Sequence, residues 1–224
     1  MLGGVDLQDL ILRISCCAAA GFGCGVASLA WIRRLVRNRE LLFPLSRRAS
    51  RILIAAAVLL GGAVGGLTSG IVPPICGLLL MCICITASVI DWTHRIIPND
   101  TILALLALAL AGGLPTLFGL DGFLPFNLWL SLAGLAACFA VFALPGLFGK
   151  QVGAGDVKLA AAMGFFLGLG NALLGVVLMG ALVILYSCLQ RKLPILEFLK
   201  TQIPMGPFIT AGLFVVYLGS FYLG

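Results

Sequence analysis

The sequence predicts an all-α protein, a polytopic membrane helical bundle with about seven to eight transmembrane helices of about 20 residues each. Three observations carry that expectation. Hydrophobic residues make up 62% of the 224 and charged residues 10%, with a mean hydropathy of +1.19, whereas a soluble domain carries about 25% charged residues. The apolar runs are continuous and rich in Leu, Ala and Gly, unlike the alternation over about 10 residues that marks a membrane β-strand. No repeat or low-complexity linker interrupts them, so residues 1–224 read as one integral-membrane domain.

The first span is expected over about Leu10–Ile32, with Gly21, Gly23 and Gly25 permitting close helix contact. Asp6 and Asp9 precede it with Arg13 as the one nearby cation, a pattern unlike a signal peptide, so this helix reads as retained. A short basic connection at 33–51 follows, broken by Pro44 and Ser46. The second span covers about Ile52–Ser69, where Gly61-Gly62 and Gly65-Gly66 form a small-xxx-small face. After Pro73-Pro74 the third span runs over about Ile75–Ile90 and ends on Asp91. Asp91–Asp100 is expected as a polar connection, with Pro98 disfavouring helix at Ile97 and Asn99 or Asp100 capping the fourth span, about Thr101–Phe118. The fifth span covers about Phe126–Phe148, and the connection Lys150–Lys158 comes next. A sixth span starts near Val157 and fades at Gly168–Asn171; a seventh covers about Ala172–Leu189, and a final one begins at Pro204 or Met205.

Charge orients these spans. With the N-terminus outside, the connections near 33–51, 91–100, 149–158 and 190–203 fall inside and hold 13 of the 14 Lys and Arg residues, Arg13 being the exception. Lys and Arg in short loops stay cytoplasmic, so Asp91 and Asp156 are placed at one membrane face. Seven of the cations, Arg33, Arg34, Arg37, Arg39, Arg47, Arg48 and Arg51, lie in the first of these connections. That surface suits acidic lipid headgroups. It lacks aromatic interleaving and sits between two spans, which argues against nucleic acid as a partner.

The eight cysteines, Cys16, Cys17, Cys24, Cys76, Cys82, Cys84, Cys138 and Cys188, all fall inside apolar runs and form no C-x-x-C pair. Such thiols behave as small hydrophobes. The single His94 has no companions for a zinc site. No metal and no cofactor is called for.

The residues able to do chemistry are Asp91 and the stretch Gly153-Ala154-Gly155-Asp156-Val157-Lys158-Leu159. Ionisable groups at membrane depth are costly and mark pathways, pairs or reaction centres. Two neighbouring carboxylates do not both ionise cheaply, so an Asp91–Asp156 pair shares a proton. The ionised member then takes a proton from water while the protonated member polarises a scissile carbonyl. The pair titrates as a unit, and neither residue is assigned one role. Gly153 and Gly155 let the backbone come close to an extended substrate or a partner helix. Lys158 has two readings, a contact to the ionised site or a side chain snorkelling to the interface. His94 and Arg95 read as interfacial charges, Asp100 as a helix cap, and Asp121 and Glu197 as loop charges.

Asp91 with Ile97-Pro98-Asn99, the GxGDxKL stretch some 60 residues later, and Ile203-Pro204-Met205-Gly206-Pro207-Phe208 together resemble the type IV prepilin peptidases, GxGD-type intramembrane aspartic proteases. The resemblance covers roughly residues 52–220. It implies removal of the basic leader from prepilins or pseudopilins at the cytoplasmic face of a bacterial inner membrane. Asp91 and Asp156 are then the catalytic pair, and Gly153, Gly155, Lys158, Pro98 and Asn99 are substrate-binding or supporting residues. Many members carry a zinc-binding insertion with two C-x-x-C pairs after the first span, and N-methylate the new terminus. Here that connection holds no cysteine, and Gly23-Cys24-Gly25-Val26-Ala27 stands where the family's glycine–serine–phenylalanine–leucine–asparagine signature is usual. The chain therefore resembles a short, peptidase-only member, without a zinc site and with the departures speaking against methyl transfer. Two other classes fit the bare residues: a proton- or cation-coupled transporter using both aspartates, and a pilin assembly partner that does not cut. Oligomeric state is left open.

Overall fold

The computed structural model describes residues 7–43, 45–68, 70, 72–117, 127–147, 153–189 and 204–223. Those residues form seven helices and no strand: α1 (Leu7–Asn38), α2 (Arg47–Leu67), α3 (Val72–His94), α4 (Asn99–Leu117), α5 (Leu128–Leu147), α6 (Ala154–Leu189) and α7 (Gly206–Leu223). Five of them are long and apolar enough to cross a membrane, and the apolar cores of α4 and α7 are shorter. The chain is a multi-pass membrane bundle. Large apolar side chains such as Leu59, Trp129, Val177 and Ile184 point outward, as expected where the surrounding solvent is hydrocarbon. The loop carrying Asp121, Lys150, and the 190–203 connection with Glu197 lie outside the described residues.

The expected spans are recovered, but several helices run past their predicted ends. α1 and α2 extend into the basic stretch, so Arg33, Arg34, Arg37, Arg47, Arg48 and Arg51 are helical and the true connection is 39–46. At 32 residues, α1 is about 48 Å long, well beyond a hydrocarbon core of about 30 Å. Its end is a Schellman cap: Glu40 is left-handed (φ 56°), its N–H donates to the Arg37 carbonyl, and Leu41 N–H donates to that of Val36. Leu41 then packs beside Ile32, Leu35, Val36 and Ile90. Ser46 starts α2 by accepting from Ala49 N–H at 3.2 Å. Asn127 does the same for α5, accepting from Trp129 and Leu130.

Small residues set the helix spacing. A Cβ on Gly21 would stand 2.5 Å from the Ala57 carbonyl oxygen, and one on Gly61 would stand 2.5 Å from that of Cys17. Gly25 and Gly65 make the next contacts along this α1–α2 seam. Only one glycine of each pair takes part: Gly62 and Gly66 meet side chains at ordinary distance, and Gly23 faces open space. Gly134 of α5 meets the backbone of Gly164 in α6, and Gly212 of α7 meets that of Gly175.

α6 is two helices. Gly168 adopts φ 72° and ψ 167°, a region open essentially to glycine alone. A Cβ on Gly175 would lie 3.5 Å from Met163 and Leu167 side-chain atoms, whereas residues 163 and 175 of a straight helix are about 18 Å apart. The two arms double back on each other, so the predicted sixth and seventh spans are both present, joined by a tight turn.

This hairpin gathers the helix ends. Ile90 of α3 packs with Ile32, Leu35 and Val36 at the end of α1. Trp92 stacks edge-on against Tyr186, late in α6, and Tyr186 also meets Phe208 at the start of α7. The helix ends flanking all four basic connections therefore share one end of the bundle. At the other end, Arg13 donates to the Thr68 carbonyl at 3.2 Å and Tyr217 to that of Pro73 at 2.7 Å. Arg13, the exception in the charge pattern, thus serves as a cation at the C-terminus of α2.

Candidate active site

Asp91 does not close α3, as the sequence reading had it. The helix continues one turn to His94. Arg95 then adopts the left-handed conformation (φ 54°) and donates its N–H to the Asp91 carbonyl at 2.8 Å, the single-bond form of a left-handed helix cap. The Asp91 carboxylate sits in the last turn, only 4% exposed, with Arg95 close enough to act on its charge. Its partner is a backbone group: the Gly206 N–H donates to Asp91 Oδ2 at 2.8 Å. Gly206 is the first residue of α7, so this N–H is one of the donors a helix start leaves unsatisfied. Asp91 caps α7 from another helix. Only glycine fits there, because a Cβ on residue 206 would stand 2.7 Å from the carboxylate.

Asp156 lies in the first turn of α6, which begins three residues earlier than predicted. Gly153 is the cap residue, its carbonyl accepting from Val157 N–H at 3.2 Å. The Asp156 carboxylate folds back against it, occupying the space a Cβ on Gly153 would need. This is the cap-to-third-residue relationship of a capping box. Gly155 faces the other way: a Cβ there would lie 3.1 Å from Ile97 Cβ. The close approach that this glycine permits is thus to the chain's own segment between α3 and α4.

That segment is built around Pro98, which is buried and whose carbonyl accepts from both Thr101 N–H (3.1 Å) and Thr101 Oγ1 (2.8 Å). Asn99 is exposed and is the first helical residue of α4, with Asp100 in the first turn beside it; the start falls slightly earlier than the expected cap. Lys158 is exposed. Standing two positions after Asp156, it does not share that residue's helix face, which favours snorkelling over contact with the carboxylate.

Asp91 and Asp156 stand on helices whose main chains do not touch each other. The Asp91 charge acts on Asp156, yet no Cα of α3 lies within 8 Å of a Cα of α6. Both helices pack instead on α4 and α7. The carboxylates therefore come from two separated helices, Asp91 held at the start of α7 and Asp156 beside Gly155, which packs on Ile97. Two carboxylates within electrostatic reach oppose each other's ionisation. Gly206 is the site residue that sequence reasoning left out of its candidate set. Its role is a main-chain N–H 115 residues from its acceptor; the Pro204-Met205-Gly206-Pro207 stretch marks the segment in the sequence but not that bond.

An all-helical membrane bundle presenting two acidic side chains at one end defines the class in question, a membrane protein with a carboxylate site. Residues 78–188 match the type IV leader peptidase family, a stretch that holds both aspartates and Ile97-Pro98-Asn99. That match supports a protease of the leader-peptidase type. The match leaves α1, α2 and α7 outside. No curated protein and no solved structure matches the chain.

Proposed function

We propose that this protein is a membrane aspartic endopeptidase that removes the basic leader from prepilins or pseudopilins, with Asp91 and Asp156 as its catalytic pair. The observation that supports the reading is that the buried Asp91 carboxylate, held by the Gly206 N–H, lies close enough for its charge to act on Asp156 at the start of α6. The ionised aspartate takes a proton from water, and the resulting hydroxide attacks the scissile carbonyl carbon. The protonated aspartate gives its proton to the carbonyl oxygen. Collapse of the gem-diol breaks the C–N bond: one gem-diol hydroxyl gives its proton to the ionised aspartate, the amine leaves with the proton of the other aspartate, and the singly protonated starting state returns.

The two aspartates lie at the end of the bundle where Arg33, Arg34, Arg37, Arg47, Arg48 and Arg51 sit, which supports a site facing the cytoplasm. The site is also recessed. Asp156 stands 12 residues, about 18 Å, from the Gly168 turn, while Leu189 ends the second arm about 32 Å from it. A substrate held partly in the membrane, with its polar leader outside, suits that depth.

The test incubates the purified protein with a prepilin and reads the product's new N-terminus by mass spectrometry. Loss of the leader without an added methyl group is the expected result. An intact prepilin after prolonged incubation would overturn the reading.

A further inference from the structure

One helical turn deeper than the Asp91–Gly206 bond, a second polar contact joins the same two helices. Ser88 Oγ lies 2.6 Å from Thr210 Oγ1. Ser88 precedes Asp91 by three residues and Thr210 follows Gly206 by four, so on these antiparallel helices the two contacts form rungs about 5.4 Å apart.

The hydroxyl inventory fixes the direction of this rung. Thr210 has one proton and faces two carbonyls of its own helix, Gly206 O at 2.9 Å and Pro207 O at 3.1 Å. With that proton committed to the helix, Ser88 is the donor and Thr210 the acceptor. Ser15, Ser50 and Ser187 return their hydroxyls to the carbonyl four residues back. Ser88 turns its hydroxyl across to α7 instead, onto a threonine that is 3% exposed.

Helix ends are where fraying concentrates, and the start of α7 offers few main-chain donors. Its second residue is Pro207, which has no N–H, so Gly206 supplies the first donor alone. The far end of α7 is held by Tyr217 on Pro73 and its middle by the close approach of Gly212 to Gly175. At its start, the Ser88–Thr210 contact a turn below the Gly206 bond, on the same face, limits the roll of the first turn.

We propose that Ser88 and Thr210 are positioning residues for the site: their hydrogen bond sets the rotation of α7 so that the Gly206 N–H stays aimed at Asp91. The positioning itself is a property of the fold; its effect on catalysis rests on the peptidase reading above.

The experiment has two arms. In the first, protein carrying carbonyl-labelled Met and 15N-labelled Gly in detergent micelles shows the amides of its three Met–Gly pairs, and the one that responds to Asp91→Asn is Gly206. Thr210→Val keeps the shape and removes the hydroxyl. It is expected to move the Gly206 amide proton upfield, as is Ser88→Ala, while Thr210→Ser leaves it in place. In the second arm, prepilin cleavage by Thr210→Val and by Ser88→Ala is expected to show kcat about tenfold lower at unchanged KM. The double variant should be no worse than either single one, and Thr210→Ser should restore the rate. A Gly206 amide that does not move in Thr210→Val overturns the positioning role whether or not any prepilin is cut. An immobile prepilin with wild-type protein sinks the peptidase reading and leaves the spectroscopic arm to decide.

Discussion

The Gly206 N–H and the Asp91 carboxylate are joined at 2.8 Å although 115 residues separate them. This one bond closes the end of the bundle, because it ties the last turn of α3 to the first turn of α7. It also makes Gly206 the position most exposed to substitution.

Gly206→Ala drives a methyl group to within 2.7 Å of Asp91 Oδ2 and 2.8 Å of its Cβ, so the bond must open. Hydrogen bonds to charged groups are worth about 1.5–3 kcal/mol, and cleavage by this variant is expected to fall about ten- to hundredfold. Cleavage rate alongside circular dichroism in detergent checks it, with helix content expected to stay as in the wild type.

The α1–α2 seam gives a prediction about stability alone. Gly61→Ala meets the Cys17 carbonyl and the Gly21 Cα, both main-chain atoms, and overpacking of that kind costs about 1–3 kcal/mol. Gly23→Ala meets nothing within 4 Å, and its higher helix propensity is worth up to about 1 kcal/mol. Thermal unfolding in micelles should lower Tm for the first variant and hold or raise it for the second.

At the α6 turn, Gly168→Ala must take φ 72°, at a cost of about 1–3 kcal/mol. Gly170, two residues on, has open space around it. Gly170→Ala should therefore leave Tm nearly unchanged while Gly168→Ala lowers it, and Gly168→Ala should also open the hairpin to proteolysis near the turn.

Much of this fold was legible because hydropathy and small-residue fading are local signals. The weakening of the apolar run at Gly168–Asn171 located a turn within three residues of where it lies. The basic stretches located the helix ends that share the site. The end of α3 was harder to read, since Arg95 takes the left-handed cap conformation where glycine is the usual marker. Adjacent glycine pairs such as Gly61-Gly62 also hide which member faces the partner helix, because that depends on the roll of α2. As for the site, Asp91 and Asp156 stood out as charges in apolar runs. Gly206, Ser88 and Thr210 did not, for their roles appear only once α3 and α7 lie side by side.

The central claim is that Asp91 and Asp156 work as one unit. It is tested most directly by following leader cleavage with Asp91→Asn and Asp156→Asn proteins, each verified as inserted and helical. Each single variant is predicted to yield no processed product, and the double variant to be indistinguishable from either. Cleavage at the wild-type rate by either single variant would contradict the account.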